Sequence, residues 1–346
     1  MPEVKPRARE EQAGAGRAPP LAARVYGALA GGQFRSGEEL AGELGVSRSA
    51  VWKAVRALRA LGTPFEAVRN RGYRLSHASE PLDPRAIRQG LAGDAREAVT
   101  RIEAAWTLAS TNSVLLERAN PPAGTSEVLL AEYQSAGRGR RGRTWLAPPG
   151  GAICLSFSWT FADVPRDLSA LGLVIGVCAR RALIGLGGRD VSLKWPNDLL
   201  VGDRKLGGIL IELRAEAQGP TCVIVGIGLN VALGAATLKK IAASGATATD
   251  LGGAGIGDVA RNHVVAALVS SCIGGLKEFE REALKPFLAD WHAADALHGK
   301  PVDVAGPRGV VTGMASGVDV HGALLLETPQ GVLRFVSGDV SVRPSA

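Results

Sequence analysis

Near the start of the chain, apolar positions recur at helical spacing. LAARVYGALA, residues 21–30, reads as a short helix. SGEELAGELG follows at 36–45. Leu40 and Leu44 share a face there, Ser36 and Glu39 form a capping box, and Gly45 ends the helix. Ser47 opens a third helix, SRSAVWKAVRALRALG. Val51, Val55 and Leu58 make one stripe on it, and Arg48, Ser49, Trp52, Lys53 and Arg56 make another. FEAVRNRGYRLS, 65–76, changes to strand-like patterning around an Asn-Arg-Gly tip, which predicts a hairpin. Two helices joined at a glycine, with a basic outer face on the second and a hairpin behind it, predict a winged helix-turn-helix over 21–78. Residues 1–20, rich in Pro, Gly, Ala and charge, have no such period and read as a disordered tail.

Beyond a Pro-rich linker, EPLDP at 80–84, strands alternate with helices. VLLAEYQ, AICLSFSWTF, VSLKWP, GGILIEL and CVIVGIGLNV read as strands. LSALGLVIGVCARRALIGLG reads as a long buried helix, and DVARNHVVAALVSSCIGGLKEFE as the helix that closes this unit, 84–296. From 299 to 346, PVDV, VVTGMA, GALLLET, VLRFV and DVSVR are short strands split by Gly and Pro, the pattern of a small SH3-like barrel. The fold class is therefore α+β and multidomain, with a mixed sheet at its centre.

Composition adds limits. In 346 residues, 46% hydrophobic and 21% charged content indicates a globular chain rather than a disordered one. The apolar run LGLVIGVCA stops at Arg180 and is short for a membrane crossing, and the N-terminus has no apolar stretch of a secretory signal. A cytoplasmic protein with no membrane partner is expected. Cys154, Cys178, Cys222 and Cys272 sit in apolar segments without a C-x-x-C pair and read as buried free thiols; the five histidines are scattered, so no preformed metal site is expected. The net charge of +7 is uneven. Residues 1–78 hold 13 Lys/Arg against 7 Asp/Glu, and the remainder 27 against 26. A basic winged module on a near-neutral body points to DNA, with the hairpin arginines Arg69, Arg71 and Arg74 reaching phosphates and Arg48, Ser49, Lys53 and Arg56 near base edges. Protein docking is the other use of such a module.

Two dense stretches carry the chemistry. In QSAGRGRRGRTW, 134–145, Gly137, Gly139 and Gly142 match the dinucleotide fingerprint, and every residue between them is arginine. That fingerprint must open a helix, but RTWLAPPGG follows, and its prolines and glycines forbid one. A mobile loop carrying Arg138, Arg140, Arg141 and Arg143 instead suits an anionic ligand enclosed after binding, because guanidiniums keep their charge and grip phosphate or carboxylate with paired donors. In KWPNDLLVGDRKLGGILIEL, 194–213, Pro196 ends a strand and Gly202-Asp203 turns a hairpin that returns Lys205 beside Asn197 and Asp198. Amide, carboxylate and ammonium together suit the orientation of a phosphate-bearing substrate, while a plain hairpin salt bridge is the alternative.

The chain also resembles the two-function bacterial biotin–protein ligases, which double as biotin operon repressors. Ser110-Thr111-Asn112, EYQSAGRGRRGRTW, KWPND with DRKLGGILIE, GIGLN and the winged module occur in the family's order, across about residues 21–343. The resemblance implies that biotin's carboxylate attacks the α-phosphate of ATP, with Mg2+, and that a lysine of the biotin carboxyl carrier protein of acetyl-CoA carboxylase then takes the biotinyl group from biotinyl-5′-AMP. It implies Arg140, Lys205 and Asp198 as catalytic residues. It places biotin against Ser110, Thr111, Asn112, Gln134, Arg138, Gly139, Arg140, Lys205, Gly208, Gly226 and Gly228. It places ATP against Arg140, Arg141, Arg143, Trp145, Asn197, Asp198, Asn230, Asp339 and Arg343, the last two being alternatively part of a structural cap. It further implies a homodimer, formed when the adenylate is bound, that sets two winged helices on operator DNA.

Two departures stand out. Ser135 replaces a second glutamine, and the segment after GIGLN, ALGAATLKKIAASGATATDL, is Ala-rich and lacks the aromatic of the family's adenylate-closing loop. One alternative function is ligation alone, with the winged domain organising the active site. Another is a sensor that binds biotin and DNA without ligating, against which the intact Arg140, Lys205 and Asp198 speak.

Overall fold

A computed structural model describes residues 19–214, 220–257, 259–306 and 309–336 and the backbone of 341–344. The tail expected at the N-terminus falls, up to residue 18, outside them. The basic module forms as its pattern requires: α1 (Leu21–Leu29), α2 (Gly37–Leu44) and α3 (Arg48–Ala60), then β1 (Phe65–Val68) paired antiparallel with β2 (Gly72–Leu75). Ser36 and Glu39 close the capping box, and Gly45 leaves α2 in the left-handed conformation (φ 65°), which glycine adopts without strain. Val51, Val55 and Leu58 bury with Val25, Leu29 and Leu40 in this unit's own core. Arg48, Ser49, Trp52, Lys53 and Arg56 are all exposed on α3, and the Arg56 guanidinium stacks over Trp52 at 4.7 Å. The wing arginines are partly engaged: Arg71 and Arg74 stack on Phe34, and Arg74 also pairs with Glu66 at 2.7 Å.

The central unit adds α4 (Pro84–Gly90), α5 (Gly93–Ala98), β3 (Val99–Leu108), α6 (Thr111–Glu117), β4 (Ser126–Gln134), β5 (Ala152–Phe161), α7 (Leu171–Gly185), β6 (Val191–Lys194), β7 (Asp198–Val201), β8 (Arg204–Arg214), β9 (Thr221–Asn230), α8 (Ala235–Ala243), α9 (Arg261–Glu282) and α10 (Leu288–Ala294). Seven strands form one sheet in the order β3-β4-β5-β9-β8-β7-β6. Only β3 and β4 run parallel, so the sheet is mixed. The pleat divides its residues. Ile153, Leu155, Ile209, Ile227 and Leu229 enter the main core with α7 and α9, while Leu129, Cys222 and Ile224 face the other way and pack on Leu115 of α6. By the same alternation Cys154, Ser156, Gly208, Leu210, Glu212, Gly226 and Gly228 lie on the α6 side, which is where the cleft opens. The stretch Leu168–Gly185 has the length and mean hydropathy (1.6) to cross a membrane, more than the LGLVIGVCA run alone suggested. It is a core helix here, packed on α9 and the sheet.

The last unit is an antiparallel SH3-like sheet of β10 (Pro301–Gly306), β11 (Gly309–Val318), β12 (Leu324–Thr328), β13 (Gly331–Phe335) and β14 (Ser341–Pro344), ordered β13-β12-β11-β10-β14. Val302, Val304, Leu324 and Leu326 join the main core, and Trp195 Nε1 donates to Gly322 O at 3.1 Å, so this sheet is fused to the end of the central one.

The winged unit is fastened by polar groups. Arg261, at the start of α9, is 2% exposed. It donates to Tyr26 Oη (3.3 Å) on α1, Glu80 O (3.0 Å) in the linker, Glu132 Oε2 (3.0 Å) on β4 and Ala152 O (3.0 Å) on β5. Asn262 donates to Pro81 O and accepts from the Asp83 amide. The Pro-rich linker is therefore stapled to α9.

Candidate active site

The cleft on the α6 side of the sheet has a volume of about 1160 Å³, room for a nucleotide with a second small molecule. Its floor is glycine for a steric reason. A Cβ on Gly226 would collide with Asn112 Oδ1, and one on Gly228 would lie 2.5 Å from the Trp145 ring. Side chains from α6 and from the arginine loop can therefore lie flat on β9. Ser110, Thr111, Asn112, Gln134 and Ser156 gather at one end. Gln134 Oε1 accepts from Thr111 N (2.7 Å) and Thr111 Oγ1 (3.1 Å), Thr111 Oγ1 meets Ser156 Oγ at 2.6 Å, and Ser156 Oγ donates to Asn112 Oδ1 at 2.5 Å. Ser110 Oγ faces the Ser113 amide at 3.5 Å and caps α6.

The arginine loop crosses above. It folds as a small closed excursion: Trp145 N donates to Gly137 O (2.9 Å), Gly139 N to Arg143 O (2.7 Å), and Arg138 bridges Thr144. A tight turn over Arg140–Gly142 reverses the chain, with Arg141 at φ 56°. Arg138, Gly139, Arg140, Arg141 and Arg143 all border the cleft, and Arg138 Nη2 reaches Glu212 at 3.1 Å.

At the other end Lys205 Nζ donates to Asp198 Oδ1 at 2.6 Å, beside Gly208, whose strand pairs with β7 at Asp198. The Lys205 ammonium also stands 5.9 Å above the Trp145 ring. The hairpin salt bridge is thus present, but it lies in the cleft wall rather than on a solvated turn. Asn197 and Asn230 border the cleft too, the first with one amide hydrogen engaged and the second with both. Asn197 Nδ2 donates to Ile209 O (2.6 Å), and Asn230 Nδ2 to Thr249 O (2.9 Å) and Lys205 O (3.2 Å). Toward a ligand Asn230 offers only its carbonyl oxygen, while Asn197 offers its oxygen and its second amide hydrogen. Asp339 and the Arg343 side chain lie outside the described residues.

Sequence reading missed three features of this site. Ser156 is invisible because its partners are 44 and 45 residues away. Glu212 hides at the end of an apolar strand. Segment 244–248, discounted for its alanines, forms a cleft wall: Lys205 N donates to Thr247 O, and Lys205 O accepts from Thr249 N. Cys154 also borders the cleft, but burial pushes its thiol up to about 12, which removes it as a nucleophile near neutral pH. Among the described residues no three His, Cys, Asp or Glu cluster as a metal site.

Comparison with known proteins agrees with this geometry. Profiles of the "Biotin/lipoate A/B protein ligase family", an "HTH domain" and a "Biotin protein ligase C terminal domain" match residues 105–230, 28–74 and 297–343. The bifunctional ligase/repressor BirA of Escherichia coli is 34% identical over 320 residues, 92% of this chain and 96% of that protein. The chain belongs to the BirA family of bifunctional ligase/repressors. The family's Bacillus subtilis member is 31% identical over 90% of this chain and 95% of that protein. The biotin protein ligase of Aquifex aeolicus, solved with biotin and ATP, superposes with a TM-score of 0.60 at 29% identity, over 71% of this chain and all of that one.

Proposed function

We propose that this chain joins biotin to a lysine of the biotin carboxyl carrier protein of acetyl-CoA carboxylase and represses biotin synthesis genes when biotin is plentiful. Residues 21–78 serve as the DNA-binding unit, 84–296 as the ligase and 299–346 as its C-terminal partner. The observation that carries the reading is one cleft in which a polar row, an arginine loop and a lysine–carboxylate pair all face the same space.

In the first step a biotin carboxylate oxygen bonds to the α-phosphorus of ATP as the bond to the bridging oxygen breaks, and pyrophosphate leaves with that electron pair. Thr111, Asn112, Gln134 and Ser156 meet the polar ring of biotin, whose donors and acceptors must be paired once buried. Lys205, held by Asp198, draws the biotin carboxylate toward phosphorus. Arg140 and its neighbours offset the phosphate charge and shield the anhydride from water. Arg141, Arg143, Trp145, Asn197, Asn230, Asp339 and Arg343 border the nucleotide. In the second step a neutral carrier lysine attacks the acyl carbon, an amide forms, AMP leaves and the amine's proton is released. Mg2+ would arrive with the nucleotide's phosphates and add Asp198 as a protein ligand, a role that suits a cleft with no larger acidic cluster among the described residues. When bound it supplies charge neutralisation at the phosphates. The reaction belongs in the cytoplasm, where ATP and the carrier are found.

As an adenylate-bound homodimer the protein would set two α3 helices on two half-sites of an operator, with Arg48, Ser49, Lys53 and Arg56 exposed toward the groove. A second reading keeps ligation alone, with the winged unit organising the active site. The Arg261 contacts favour it, because they tie that unit to the strands that begin and end the arginine loop. Incubation with biotin, Mg-ATP and a carrier domain, followed by mass spectrometry, tests ligation. Mobility shift of the gene's own upstream DNA, with and without biotin and ATP, tests repression. No mass gain on the carrier defeats the ligase, and mass gain without any shift selects the second reading.

A further inference from the structure

Glu212 belongs to none of the roles above, yet it ends the polar row. It lies on the cleft face of β8, two positions beyond Leu210, and its side chain is 24% exposed. Asn112 Nδ2 donates to Glu212 Oε2 at 2.8 Å, and Arg138 Nη2 donates to both carboxylate oxygens at 3.1 and 3.2 Å. A carboxylate only accepts, so it dictates which way the Asn112 amide is turned: nitrogen toward Glu212, oxygen toward Ser156. With Ser156's one proton on Asn112, the single hydroxyl proton of Thr111 is left for Ser156 or for Gln134. Asn112 Nδ2 also donates to Leu210 O at 3.3 Å, so the donor and acceptor order of the whole row is set from the β8 end, with Glu212 as its nearer acceptor. The same carboxylate ties the first arginine of the loop to the sheet.

Resting on the ligase reading, the geometry points to Glu212 as a positioning residue for biotin: through Asn112 it polarises the row that meets the polar ring, and through Arg138 it anchors the loop that closes over the adenylate. ATP, bound chiefly at the Lys205 end, meets it only indirectly, through the loop that Arg138 ties to the sheet.

Glu212→Gln tests this with almost no change of shape. A glutamine oxygen in the place of Oε2 still accepts from Asn112 but turns the NH2 toward Arg138 Nη2, and the reverse orientation turns the NH2 toward Asn112, so in either case one donor faces another donor. In biotin-dependent ATP–pyrophosphate exchange the variant should raise KM for biotin about tenfold, the scale of a misplaced polar partner in a built site, with a smaller rise in KM for ATP through the loop. Glu212→Ala and Arg138→Ala should each release adenylate faster, and the double variant should be no leakier than the worse single one. Parent-like KM for biotin in Glu212→Gln, equal rises for biotin and ATP, or losses that multiply in the double variant would each overturn the assignment. A parent protein with no biotin-dependent exchange would instead remove the ligase reading itself, and this assignment with it.

Discussion

Replacing Arg261 by methionine tests how the winged unit is held. The guanidinium is 2% exposed and satisfies four oxygens on α1, the linker, β4 and β5. Methionine fills much of the volume but donates nothing. Glu132, 5% exposed, would keep only the Leu82 amide at 2.7 Å. Stranding a buried charge in this way costs about 3–5 kcal/mol. The orphaned carbonyls of Glu80 and Ala152 add ~1 kcal/mol each where water cannot reach them. Such a loss is a large part of the roughly 5–15 kcal/mol of a typical domain. Urea unfolding followed by tryptophan fluorescence measures it. Glu132→Gln keeps an acceptor for Leu82 but removes the charge, so adding it to Arg261→Met should recover about 2 kcal/mol, since no charge is then stranded. Limited proteolysis at 76–83 should also speed up in Arg261→Met as the linker loses its staple. An Arg261→Met protein within about 1 kcal/mol of the parent, or a double variant as costly as the two singles summed, would refute a buried ionic hub.

Other outcomes follow from the site and the core. Lys205→Ala should slow adenylate formation more than about tenfold, the scale for losing an oriented charge; an unchanged single-turnover rate removes Lys205 from the chemistry. Arg140→Gly should release biotinyl-5′-AMP into solution, and retention as tight as in the parent would contradict the shielding role. Gly226→Ala should abolish biotin binding, because its methyl displaces Asn112; normal titration with biotin would show that Asn112 is not needed there. Burial raises the Cys178 thiol from 9.0 to about 12, so its contribution is complete below pH 9 and drains away as pH climbs toward 12. Between pH 8 and 10 that is a loss of about 1.4 kcal/mol, which Cys178→Ala should remove from the pH dependence of urea unfolding.

Features whose cause is local could be read directly from the residues. The capping box at Ser36, the glycine stop at Gly45 and the stripe of Val51, Val55 and Leu58 fix the winged unit, because each acts within a turn or two of helix. The 194–213 hairpin was equally legible, since Gly202 makes the turn and the turn sets the Lys205–Asp198 pairing. What stayed hidden depends on strands far apart in sequence lying side by side. Ser156 and Glu212 reach the cleft only because β5, β9 and β8 are neighbours in one register, where a slip of one residue would turn both into the core. Arg261 is hidden in the same way, as its ion-pair partner Glu132 is 129 residues away. The sequence alone determined which local elements form and which charges they carry. The tertiary structure decided which donors meet which acceptors, because hydrogen bonds of about 3 Å between distant segments exist only after the sheet's order and register are set.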